Sequence, residues 1–90
     1  MEEIMKAVSS HTGYTEEDIK SRSRTHGICE ARRIFMYLSH NMNGRSLKEV
    51  AMRIDRTHQN VSAQLISFDQ HLRIYKGLRN RVEEIKNAII

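Results

Sequence analysis

Proline and tryptophan are absent from this 90-residue chain, cysteine occurs once and glycine four times. Without proline, every break between regular elements must come from glycine, end caps or polar clusters. A single cysteine excludes an internal disulfide, and with no second thiol the spacing of a cysteine-based metal site is missing too. Cys29 sits at the start of an apolar helical pattern and reads as a small buried apolar group. No apolar run approaches the roughly 18 residues that span a bilayer. The start, Met-Glu-Glu-Ile, lacks the basic opening of a secretion signal, so a cytosolic protein is expected. Aromatics make up only 6% of the chain, and Tyr14, Tyr37 and Tyr75 are too scattered to form a stacking platform for single strands. Period-two alternation is also missing, which leaves no strand signal.

Catalytic groupings are equally sparse. The five histidines, His11, His26, His40, His58 and His71, include no pair four residues apart, so neither a metal nor another cofactor is expected. Glu16, Glu17 and Asp18 read better as the acidic first turn of a helix than as paired carboxylates. No nucleophile has an evident base beside it. A catalytic role is therefore not expected.

Helical periodicity and charge remain. The length suits one domain over residues 1–90. Its net charge is +4, and the charge is unevenly spread. Lys20 to Arg56 holds nine Lys or Arg against Glu30, Glu49 and Asp55, while acids cluster towards both ends. A basic centre with acidic flanks suits a surface that meets a polyanion on one face.

Five to six helices are expected, in an all-α fold. Ile4 and Val8 lie one turn apart in a helix from about 2 to 11. Thr15 caps a short second helix ending near Ser21. Ser21 to Gly27 reads as an irregular basic loop. Ile28, Ala31, Phe35, Leu38 and Met42 form one stripe of a third helix over about 29–42, ended by Asn43-Gly44. Ser46 and Glu49 make a capping box for a fourth helix, Leu47 to Ile54. Thr57 caps a fifth, about 58–71, with Val61, Leu65, Phe68 and Leu72 inward. Leu78, Val82, Ile85 and Ile89 mark a sixth, after a break between Leu72 and Gly77.

The fourth and fifth helices carry the functional signal. Two short helices joined by about three residues make a helix-turn-helix over about 46–71. Ala51 stands where the rods cross, and only a small side chain lets them approach. Leu47, Val50 and Ile54 face inward from one, Val61 and Leu65 from the other. Asp55 holds the turn position that wants a positive φ, which aspartate tolerates better than most residues. The competing reading is an ordinary helical hairpin.

In a helix-turn-helix the front of the second helix meets base edges. Here that front carries Thr57, His58, Gln59, Asn60 and, one turn on, Gln64. Asparagine and glutamine can pair bidentately with adenine, and threonine can touch a thymine methyl. Phosphates need cations around such a helix. Arg45, Lys48, Arg53 and Arg56 flank it, Arg22, Arg24 and His26 lie in the basic loop, and Arg32 and Arg33 fall off the buried stripe of the third helix. With five phosphate contacts, log K would fall against log salt with a slope of about −4 to −5.

Four stretches resemble the C-terminal DNA-binding domain of the bacterial replication initiator DnaA: Asp18-Ile-Lys-Ser-Arg22, Ala31-Arg-Arg-Ile-Phe-Met-Tyr-Leu38, Ser46-Leu-Lys-Glu-Val50 and Arg56-Thr-His-Gln-Asn-Val61. The resemblance runs from about Ile4 to Lys86. It implies a Trp-repressor-like helical fold and a double-stranded DNA partner. It also implies phosphate roles for Arg22, Arg24, Arg32 and Lys48, and base contacts from His58 and its neighbours. The chain departs from the family pattern at Glu30, where the family usually has an arginine that enters the minor groove. It departs again at Thr57, Gln59 and Asn60, and at the turn, where a double glycine is reduced to Asp55. It has no Gly-rich phosphate loop and so no sign of an ATPase module.

The expected function is sequence-specific duplex binding in replication initiation or transcription regulation, with other replication or regulatory proteins as further partners. No membrane or small-molecule ligand is expected. The alternatives are a ligand-responsive dimeric repressor of the same fold and a protein-interaction module that has lost DNA binding.

Overall fold

A computed structural model of the chain describes residues 1–89. Among these residues there are six α-helices and no strand. They are α1 (Glu2–Thr12), α2 (Glu16–Lys20), α3 (His26–Tyr37), α4 (Leu47–Arg53), α5 (His58–Ile74) and α6 (Lys76–Ala88). No helix is long and apolar enough to cross a membrane.

The local signals place most of these ends. Gly13 takes a left-handed φ of 79° after α1, a conformation that costs glycine little. Thr15 and Asp18 form a reciprocal capping box at α2, and Ser46 and Glu49 form another at α4. Gly44 turns the chain out of the third helical segment at φ 66°.

The third segment differs from the expected 29–42 helix at both ends. It starts at His26, so part of the stretch read as irregular loop is helical. Gly27 sits in this first turn because Tyr14 packs against it. A Cβ there would come within 2.9 Å of the Tyr14 ring. After Tyr37 the helix widens into a π turn, Leu38–Met42. The wider turn rotates later residues off the stripe. Met42 is accordingly exposed, and Ile28 at the other end is only half-buried.

The core assembles around Phe35 and Phe68, both essentially inaccessible. Ile4, Met5 and Val8 of α1 and Ile19 of α2 join Ala31, Ile34, Met36 and Leu38. Tyr37 stacks on Phe68 in a tilted arrangement, 5.5 Å between centroids. α5 runs to Ile74, one turn beyond expectation, and the chain bends at Tyr75. Arg79 Nη1 donates to the Leu72 and Arg73 carbonyls and so closes the end of α5. Leu78, Val82 and Ile85 of α6 are buried.

Candidate nucleic-acid interface

The crossing of α4 and α5 is tight. Val50, Ala51, Ile54 and Val61 are all buried, with Ala51 2% exposed. Asp55 takes φ 56° in the turn, and the Arg56 N–H returns to the Ala51 carbonyl at 2.8 Å. Thr57 Oγ1 then accepts from the Asn60 N–H at 3.1 Å and starts α5. The Glu49 carboxyl is held below the usual carboxylate range, first by the Ser46 N–H and then by its hydroxyl.

Thr57, His58, Gln59 and Asn60 stand exposed at the front of α5. Asn60 and Gln64 form one wall of a groove, and Arg22, Arg24, Arg32, Arg33 and Arg56 line the rest of it. Asn60 and Gln64 of α5 and the arginine-rich loop thus share one groove.

These arginines do different work. Arg22 and Arg24 are exposed at the rim. Arg22 makes a long, solvated pair with the Asp55 carboxylate, at 3.7 Å, and a weak hydrogen bond to the Asp55 carbonyl, at 3.4 Å. Arg56 turns inward, its guanidinium donating to the carbonyls of Lys20, Ser21 and Ile54. Burial, then the neighbouring charges of Arg32 and Arg22, push its pKa down. The groove therefore holds positive charge that an anion would relieve.

Arg32 requires a correction. The sequence places it off the buried stripe as a phosphate contact, but it is 9% exposed. Nε donates to the Ile19 carbonyl at 2.8 Å, and Nη2 donates to Ser21 at 2.7 Å and to Ser23 at 3.3 Å. Its donors are spent on shaping the loop. Arg53 requires another. Its guanidinium grips Glu2 at 2.7 Å and Glu16 at 2.8 Å, tying α4 to α1 and α2. Those two hydrogen bonds, Glu2 first, raise its pKa.

Arg33 is half-buried and bonded to Gln64. His26, the first residue of α3 and not a loop residue, borders a different groove with Glu30 and Arg81. Lys48 is exposed on the first turn of α4, and Arg45 just before that helix pairs with Glu49 at 3.4 Å. Glu30 is neutralised by Arg81 of α6, at 3.2 Å. Sequence reasoning missed that partner, because nothing local links residues 51 positions apart.

Residues 1–65 match the family described as "Bacterial dnaA protein helix-turn-helix". The chain belongs to this family. Among the DnaA proteins it resembles is the chromosomal replication initiator protein DnaA of Campylobacter fetus subsp. fetus (strain 82-40). The two are 36% identical over 90 residues, which cover 99% of this chain and 21% of that protein. The DnaA of Chlorobaculum tepidum is 32% identical over 99% of this chain and 18% of its own length. That of Campylobacter concisus (strain 13826) is 33% identical over 100% of this chain and 21% of its length. The chain thus spans about a fifth of the length of the DnaA relatives it matches.

Proposed function

We propose that this chain binds double-stranded DNA sequence-specifically through its DnaA-type helix-turn-helix, in the setting of replication initiation. The observation that carries this reading is the shared groove: Asn60 and Gln64 of α5 line it together with Arg22 and Arg24, and His58 and Gln59 stand exposed in the same first turn of α5. α5 would lie in the major groove with its first turn towards the bases. Arg22 and Arg24 would meet phosphates on one side, and Arg45 and Lys48 on the other. Arg32, Arg53 and Arg56 are spent on the protein's own carbonyls and carboxylates, Arg33 is bonded to Gln64 and His26 borders another groove, so these five leave the phosphate set. With about four cations remaining, the salt slope is about −3 to −4. The setting is supported by relatives named as chromosomal replication initiators.

Selection of bound duplexes from a random pool, followed by anisotropy titrations at several salt concentrations, tests the proposal. One enriched site is expected, together with larger losses on that site than on random duplex for Gln59→Ala and Asn60→Ala. Equal losses on every sequence would refute base reading, and flat anisotropy at low salt would refute duplex binding.

A further inference from the structure

Gln64 lies one turn beyond Asn60 on the same side of α5, and both border the arginine-lined groove. Its side chain is not free. Arg33 reaches across from α3 and donates Nε–H to Gln64 Oε1 at 2.7 Å. A guanidinium carries only donors, so it must face the amide oxygen however the amide is turned. The NH2 group is then the unengaged end of the amide.

We propose that Arg33 sets the sense in which Gln64 reads a base, making it a donor that selects guanine. This inference rests on the duplex-binding proposal above. A free glutamine prefers adenine, because its oxygen accepts from adenine N6–H2 while its NH2 donates to N7. With the oxygen turned to Arg33 and already accepting from it, a second bond to that oxygen is weaker and the NH2 end faces the base. The NH2 can still donate to adenine N7, but the adjacent adenine amino group is a donor and repels it. Guanine offers two adjacent acceptors, O6 and N7, and no donor on that edge. Cytosine offers a donor in the same place and is disfavoured as well. Arg33 is a positioning residue here, acting on the base through Gln64.

The test is selection from a random duplex pool with the wild-type chain, Gln64→Ala, Arg33→Met and Arg33→Lys. The base pair read by residue 64 is the one whose preference disappears in Gln64→Ala. Guanine is expected there for the wild type. Arg33→Met should move that single position towards adenine, by about 5- to 100-fold in relative affinity, with the other positions unchanged. Arg33→Lys keeps a donor within reach of Oε1 and should keep guanine, which a merely structural role for Arg33 would not produce. The proposal is overturned if Arg33→Met weakens all sequences alike, since Arg33 is then a phosphate contact. It is also overturned if Gln64→Ala alters no position while Asn60→Ala does; the helix-turn-helix reading then survives without it. Enrichment of no sequence by the wild type would overturn both.

Discussion

Replacing Arg32 by methionine separates a scaffold from a ligand-binding arginine. Methionine keeps much of the stem and removes every donor. Three carbonyls lose a partner, at Ile19, Ser21 and Ser23. Ser21 retains its bond from Arg56 and Ser23 only a weak one from the Cys29 thiol, at 3.6 Å, so the cost falls mainly on Ile19 and Ser23. Each under-satisfied buried carbonyl costs about 1–3 kcal/mol, which makes an overall loss of about 2–6 kcal/mol the expectation. Domains have about 0.05–0.15 kcal/mol of stability per residue, so this is a large fraction of the total for 90 residues. Urea unfolding followed by circular dichroism should show that loss with an unchanged m value. The melting midpoint should fall by about 8 °C or more. Arg32→Lys keeps the charge without the planar fork and should recover little. In the folded variant the salt slope of duplex binding should stay put. A stability loss under about 1 kcal/mol, together with a slope flatter by about one unit, would show that Arg32 serves phosphates after all.

Three further perturbations address other joints of the molecule. Ala51→Leu overfills the crossing of α4 and α5 and should cost about 1–3 kcal/mol, seen as a lower melting temperature; an unshifted melt would contradict the close approach. Asp55→Gly relieves a left-handed residue and removes an acid beside Arg22. It should stabilise by up to about 1 kcal/mol and tighten duplex binding at low salt, and weaker binding would count against the orientation proposed here. Glu2 is held below the usual carboxylate range, first by its hydrogen bond from Arg53. A carboxyl lowered on folding stabilises fully above its unfolded pKa and loses that contribution as pH falls through the folded value. Glu2→Gln should therefore be less stable at neutral pH and show a shallower decline between about pH 5 and 3; superimposable acid limbs would refute the clamp.

The elements whose cues are local were legible in the sequence. Ser46 with Glu49, and Thr15 with the acids that follow it, announce helix starts through hydrogen bonds spanning three residues. Asp55 was readable as a left-handed turn residue because few side chains tolerate that region. The exposed front of α5 followed from the same periodicity. What stayed hidden depended on distant partners. Arg32 reads as a surface cation until the carbonyls of Ile19 and Ser21 curl back to it. Arg53 reads as a phosphate contact until Glu2 and Glu16 arrive from other helices. The π turn adds a residue to a helical turn without any change in side-chain type, so the stripe through Met42 looked continuous. Gly27 reads as the end of the basic loop, though it lies within α3 and admits the ring of Tyr14.

Arg56 precedes the first residue of α5 by two positions, and its guanidinium holds the carbonyls of Lys20 and Ser21. In the orientation proposed above, the groups that grip the DNA backbone and those that inspect bases are in this way welded to a common bracket. On the proposed reading, a poorly matched duplex that tilted α5 would drag Arg22 and Arg24 out of register with the sugar-phosphate rail at the same moment. Mismatch would then be felt twice, once at the base and once at the rail, and discrimination would exceed what the side chains of α5 supply alone.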